Sequence, residues 1–292
     1  VEKTGIFAGN GHVRDIVRLA LSEDIGTGDV TTAFVVPAGM RASGRIVAKQ
    51  AGVVAGLPVV RMVFAELDPA ITFRNLVEDG QAVQPGQVVA ELEGPAAPLL
   101  TGERAALNFL MHMSGIATGA RAFAARLEGT GARLLDTRKT TPGNRVLEKY
   151  AVQAGGAFNH RMNLAGGVLI KNNHIAVCGG VRAAVLAASA KSPVTLKIEI
   201  EVRTLDEAVE AAQAGADMLL LDHMTPSMAR EVRDRVGGSI LLEVSGNMTP
   251  DKAASYADCG VDFVSAGVVT YGAGWLDFSM YLDLEGGAQN AG

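Results

Sequence analysis

The stretch Leu134-Leu135-Asp136-Thr137-Arg138-Lys139-Thr140-Thr141-Pro142-Gly143 decides how the chain is read. Leucines lead into it, and charged and hydroxyl residues then follow without a break. That is the pattern of a buried strand opening into a loop at its carboxyl end, where α/β proteins place their chemistry. Asn159-His160-Arg161 and Lys171-Asn172-Asn173-His174 come next. Arg138, Lys139, His160, Arg161 and Lys171 therefore fall within about one βαβ length. Charges more often form a solvated surface. Here they adjoin apolar runs such as Gly167-Val168-Leu169-Ile170, which argues for a shared strand-end site.

Outward from this stretch, apolar strands and helical patterns alternate to the end of the chain. Strands are expected over 133–136, 168–171, 196–201, 218–222, 240–244 and 263–266. Helices are expected over 142–154, 181–190, 205–214, 227–236 and 250–258. Repeated βα units imply a parallel sheet. The spacing favours an α/β barrel of six or seven parallel strands. A doubly wound open sheet is the alternative, but no GxGxxG follows the first strand.

Before residue 100 the texture differs. Residues 13–22 have helical apolar spacing, and the paired glycines and acids of 23–32 read as a loop. Its acids suit a capped turn better than a metal. Alternation over 41–54 and 71–92 predicts strands, with a helix over 59–67 between them, which makes an α+β unit. The run 78–88 resembles the hairpins of biotinyl and lipoyl carrier domains. It lacks their lysine, since Glu91-Leu92-Glu93-Gly94-Pro95 follows. Thr101 reads as the N-cap of a long helix that Gly115 weakens, with a domain boundary between 105 and 115. The expected division is 1–110, 111–277 and a tail, 278–292, returning to the first domain.

Composition bounds the function. The chain has 292 residues, 48% hydrophobic and 20% charged, with a net charge of −5. This is globular chemistry and argues against nucleic acid as a partner. No apolar run reaches a membrane span, and residues 1–10 lack the order of a secretion leader. Cys178 and Cys259 form no CxxC pair, so reduced thiols and a cytoplasmic location are expected.

Nearly every expected strand ends in polar residues. Arg138, Lys139, Arg161 and Lys171 suit a strongly anionic ligand. Period two puts Lys197, Glu199 and Glu201 on one face. Glu201 and Asp222 suit sugar hydroxyls or Mg²⁺. Ser245-Gly246 and Gly267 follow the last strands, where barrels hold phosphate on backbone N–H groups. Blander roles compete: Glu201 paired with Lys197, Asp222 capping a helix, Gly267 in a turn, His160 as a donor behind the site, Arg104 on an exposed helix face.

These residues resemble a known family. Glu103-Arg104-Ala105-Ala106-Leu107-Asn108-Phe109, Ser114-Gly115-Ile116-Ala117-Thr118, the block Asp136 to Gly143, and Asn159-His160-Arg161 look like quinolinate phosphoribosyltransferase. Glu23 to Thr32 matches that family's N-terminal signature. The resemblance implies an N-terminal α+β sandwich domain, an α/β barrel, and a homodimer in which Arg104 reaches the partner's site. It implies that Arg104, Arg138, Arg161 and Lys139 hold quinolinate, with His160 and Lys171 nearby. Glu201 and Asp222 would bind the ribose and, with the pyrophosphate, Mg²⁺. Ser245, Gly246, Asn247 and Gly267 would meet the 5′-phosphate of phosphoribosyl pyrophosphate. Lys139, Lys171, Glu201 and Asp222 are the expected catalytic set.

Departures from the family pattern cluster at the expected pockets. Asn172 stands where the family usually has Asp, Asn247 where it has Gly, and Tyr271 where it has His; Asn163-Leu164-Ala165-Gly166-Gly167 replaces a Gly-Leu-Tyr-Asp-type segment. They leave open a related transferase with another aromatic acceptor. Two further readings compete: a lysine Schiff-base aldolase using Lys139, Lys171 or Lys197, and a non-catalytic anion-binding relative.

Overall fold

The structure is a computed structural model describing residues 11–284. Residues 1–10, read above for leader order, and 285–292 of the expected tail lie outside it. Two compact units divide the chain. The first takes described residues up to Gly119, Pro142–Gly155 and those from Ala273 onward; the second takes Ala120–Thr141 and Gly156–Gly272.

The first unit opens with α1 (Gly11–Ile25), which buries Val13, Val17 and Leu21 at helical spacing. The loop expected over 23–32 is shorter: Glu23 and Asp24 lie in α1 and Val30 to Thr32 in α2, which leaves 26–29 as a capped turn. Asp29 accepts the Thr32 N–H at 2.9 Å and starts α2 (Val30–Val35). Then come β1 (Arg41–Ala48), β2 (Gly52–Val53), α3 (Leu57–Leu67), β3 (Thr72–Asn75), β4 (Ala82–Val83) and β5 (Val88–Pro95). The 78–88 run is not a hairpin, because β4 pairs with β2 while β5 pairs with β1 and β3.

Helix α4 (Ala96–Leu127) corrects two expectations. It begins at Ala96, since Pro98 in the first turn forfeits no helical hydrogen bond. Thr101 is thus inside the helix, and its hydroxyl donates to Asp29 Oδ2 at 3.0 Å instead of capping. Gly115 does not interrupt it either. A Cβ there would overlap the Gly274 carbonyl oxygen, so the glycine serves a close backbone approach. The division between units falls at Gly119, inside an unbroken helix.

The second unit begins at β6 (Arg133–Leu135). Helix α5 (Arg145–Ala154), read from sequence as a barrel helix, belongs to the first unit, where its Tyr150 hydroxyl donates to buried Asp79 at 2.8 Å. The alternation continues with β7 (Val168–Ile170), α6 (Asn172–Cys178), α7 (Val181–Ser189), β8 (Ile198–Val202), α8 (Leu205–Gln213) and β9 (Met218–Asp222). It ends with α9 (Pro226–Val236), β10 (Leu241–Ser245), α10 (Pro250–Ala254), β11 (Phe263–Ser265) and α11 (Val268–Tyr271). Thr204, Thr225 and Thr249 cap α8, α9 and α10 through their hydroxyls, and Pro226 and Pro250 preset the first turns.

The parallel ladder runs β6-β11-β10-β9-β8-β7. Strands β7 to β11 lie beside their chain neighbours, and the first strand pairs with the last. That cyclic order is a barrel's, not a doubly wound sheet's. Phe158 adds a single parallel bridge to Leu135, which leaves the seam between Phe158 and β7. Strand β8 is buried throughout, with Ile198, Ile200 and Val202 alternating with Glu199 and Glu201. Lys197 is exposed and precedes β8, so it lies at the opposite end from the carboxyl-terminal site and leaves the expected trio. The chain closes with β12 (Phe278–Leu284), antiparallel to β1, giving the first unit the sheet order β12-β1-β5-β3.

Gly115→Ala is expected to lower stability by about 1–3 kcal/mol, the range for forced overpacking. A urea midpoint equal to or above the parent's would show that the Gly274 contact imposes no constraint.

Candidate active site

A cavity of about 410 Å³ opens at the carboxyl ends of the barrel strands. Arg138, Lys139, His160, Arg161, Lys171, Glu201, Asp222, Ser245, Gly246, Asn247 and Gly267 all line it. Arg104 does not; it is exposed on α4 in the first unit.

The cationic wall comes from the loops after β6 and β7. The buried carboxylate of Asp136 accepts the His160 N–H at 2.8 Å, which draws the 159–161 segment to the end of β6. Arg161 donates from Nη1 to the Gly167 carbonyl at 2.8 Å. Its pKa is lowered, first by burial and then by the nearby Arg138 charge, with Glu199 opposing. Guanidiniums held close enough to repel are stabilised by an anion bound between them. Lys139 is fixed through its backbone: its N–H donates to Thr137 Oγ1 at 3.0 Å, and its carbonyl accepts the Thr270 hydroxyl at 2.8 Å. Lys171 is exposed at the mouth, and its backbone N–H donates to His174 Nδ1 at 2.9 Å at the start of α6.

The acidic side comes from β8 and β9. Glu201 is raised above the usual carboxylate range, first by burial and then by the Asp222 charge, with Lys171 and Arg203 opposing. Arg203 bridges the pair, with Nη2 3.6 Å from Glu201 and Nε 3.3 Å from Asp222. Asn172 donates its amide to Glu201 at 2.6 Å. His223 Nδ1 lies 2.7 Å from Asp222. Glu201 thus pairs with Arg203, not Lys197, and Asp222 is not a helix cap, since Thr225 caps α9. Arg203, Asn172 and His223 were not singled out as holders of this pair. Period two from Glu201 marks Arg203; nothing in the sequence marks His223.

The loops after β10 and β11 are shaped by close approach. Gly246 has φ +116 and Asn247 φ +44, and a Cβ on Gly246 would meet the His223 ring at 2.8 Å. Lys252 Nζ donates to the Gly246 carbonyl at 2.5 Å. Gly267 has φ −66, so it is not a turn glycine by conformation. A Cβ there would meet Lys139 Cδ at 2.9 Å and Thr137 Oγ1 at 3.0 Å, so the glycine serves proximity to the cationic loop.

Glu243 lines the cavity and Glu199 lies close by, both buried. His160 Nε2 is 2.9 Å from Glu199 and 3.7 Å from Glu243. Burial, and then the Glu199 charge, push Glu243 up to about 8.

The fold and cavity define an α/β-barrel protein that gathers cations against an acidic pair. The chain belongs to the quinolinate phosphoribosyl transferase family: the profile for that family's N-terminal domain matches residues 29–114, and the one for its C-terminal domain matches 116–281. It is 43% identical over 267 residues to a probable nicotinate-nucleotide pyrophosphorylase (carboxylating) of Synechocystis sp., covering 90% of each chain. The nicotinate-nucleotide pyrophosphorylase (carboxylating) of Mycobacterium leprae is 40% identical, with 92% of this chain and 96% of the relative covered. The crystal structure of NadC from Streptococcus pyogenes superposes with a TM-score of 0.90 at 40% identity, covering 92% of this chain and 96% of that one.

The Glu243 environment has a pH signature. The folded protein holds this proton between about 4.5 and about 8, and the unfolded chain does not. Stability therefore falls as pH rises through that window. Glu243→Gln should flatten the decline in thermal midpoint from pH 5 to pH 8.5. An unchanged slope would mean that Glu243 ionises freely.

Proposed function

We propose that this protein transfers the phosphoribosyl group of phosphoribosyl pyrophosphate to quinolinate, giving nicotinate mononucleotide, pyrophosphate and CO₂, a step of NAD biosynthesis. The observation that carries the reading is the convergence of Arg138, Lys139, Arg161 and Lys171 with Glu201 and Asp222 on one cavity. A dicarboxylate and a phosphorylated sugar together match both signs of charge. The curated relatives named above, and those named quinolinate phosphoribosyltransferase (decarboxylating) in Nicotiana, support the same assignment.

In this reading the guanidiniums of Arg138 and Arg161 grip the quinolinate carboxylates, with Lys139 and Lys171 adding charge at the mouth. The grip orients the pyridine nitrogen toward C1 of the ribose, replacing a bimolecular encounter with a held geometry. Glu201 and Asp222 accept hydrogen bonds from the ribose hydroxyls and offset the positive charge that develops as pyrophosphate departs. Lysine ammonium groups stabilise the departing anion. The new pyridinium stabilises the electron pair left on the ring carbon when the bond to the adjacent carboxylate breaks, so CO₂ leaves without an organic cofactor and a proton from water takes its place. Backbone around Ser245, Gly246, Asn247 and Gly267 receives the 5′-phosphate.

Glu201 and Asp222 also suit Mg²⁺, because they are hard carboxylate ligands and a cation relieves the Asp222 charge that raises Glu201. When bound, Mg²⁺ supplies charge stabilisation to the pyrophosphate. The protein is taken to act in the cytoplasm as a homodimer, with Arg104 of each subunit completing the partner's carboxylate site. No helix among the described residues is long and apolar enough to cross a membrane.

Purified protein should consume quinolinate and phosphoribosyl pyrophosphate only with Mg²⁺ and release CO₂ stoichiometrically. Folded, metal-supplied protein without turnover would sink the assignment. In the same assay, mixing Arg104→Ala subunits with Lys139→Ala subunits should restore part of the activity both have lost. No recovery would place each site within one subunit.

A further inference from the structure

His160, Glu199 and Glu243 offer ligand atoms within 4.8 Å of one another, with His160 and Glu243 in the cavity lining. Glu199 and Glu243 are 5% and 2% exposed, and Glu199 Oε1 and Glu243 Oε2 have no hydrogen-bond partner. A buried cluster with open oxygens invites a metal ion. The imidazole argues otherwise. The backbone N–H of Arg161 donates to His160 Nδ1 at 2.7 Å, so Nδ1 is an unprotonated acceptor. The ring proton is then on Nε2, which faces Glu199 Oε2 at 2.9 Å and has no lone pair for a metal.

We propose that Glu199 is a positioning residue: it fixes His160 as the Nε2–H tautomer, and the imidazole in turn holds the backbone of Arg161 so that its guanidinium faces the bound anion. His160 then serves as a strut between the barrel floor and the cationic wall. Three observations converge on it. Asp136 takes the backbone N–H of His160, Glu199 takes its ring N–H, and the ring accepts from Arg161, whose own side chain is tied to the Gly167 carbonyl. The Arg161 head is thereby located from both its backbone and its Nη1. A flipped tautomer would set an Nδ1 proton against the Arg161 N–H and release one end. Glu243, 3.7 Å from the same Nε2, closes the floor behind it.

The inference rests on the transferase reading only in its choice of ligand, quinolinate. The tautomer is read without any ligand, so the two fail separately. Histidine ¹⁵N spectra of the full chain should show His160 with Nε2 protonated and Nδ1 bare at pH 7.5. A doubly protonated ring or the Nδ1–H tautomer would overturn it. Glu199→Leu should disturb the tautomer and weaken quinolinate binding about tenfold, as expected for losing a hydrogen bond to a charged group. Phosphoribosyl pyrophosphate affinity should stay within about twofold, as for an independent site. Glu199→Gln keeps an acceptor oxygen and should restore most quinolinate affinity. Equal loss for both ligands, or undiminished quinolinate binding in a folded Glu199→Leu protein, would reduce Glu199 to a packing role.

Discussion

The pairing of β6 with β11 is the constraint on which the site depends. The Ala266 N–H donates to the Leu135 carbonyl at 3.0 Å, extending that pairing past the end of β11. It brings the first βα loop against the last. The Thr270 hydroxyl then holds the Lys139 carbonyl, and Gly267 leaves room for the Lys139 stem. Without this closure, Arg138 and Lys139 would sit on an edge strand, far from the loop proposed to hold phosphate. The seam lies instead at Phe158, where Asp136 secures the chain and His160 and Arg161 follow.

A second constraint is charge balance. Glu199, Glu201, Asp222 and Glu243 occupy the floor and one side of the second unit, and Arg138, Lys139, Arg161 and Lys171 the other. Buried charges of either sign are costly alone and tolerable when opposed. The strand pattern separates the signs. Alternation on β8 turns Glu199 and Glu201 inward, while the cations come from loops. Separation leaves room for a carboxylate ligand beside a hydroxyl-bearing one, instead of collapsing into internal ion pairs. Arg203, more than half exposed, partly neutralises the Glu201–Asp222 pair.

Much of this was legible in the sequence. The strand ends were, because apolar runs that stop at polar residues report both burial and the loop beyond. The Asp136 to Gly143 block located the cationic wall, and the periodicity of β8 located Glu201. Long-range contacts were not legible. Gly115 reads as a helix weakness until the Gly274 carbonyl is seen against it. Lys197 shares the period of Glu199 and Glu201, yet β8 begins one residue later and leaves it in solvent. Thr101 has the chemistry of an N-cap, but Ala96 and Pro98 had already started the helix. The helix over 142–154 was read correctly as a helix, while its unit is set by Tyr150 meeting Asp79, a contact no local pattern records. The tautomer of His160 depends on Glu199, on another strand.

The central claim is that the wall around Arg138 and Arg161 is built for two carboxylates on one ring. Equilibrium binding of quinolinate and of nicotinate, which lacks one carboxylate, tests it most directly. Quinolinate should bind more tightly by about 2–5 kcal/mol, the cost of leaving a buried charge partner unmatched. Equal affinities, or a preference for nicotinate, would contradict the account.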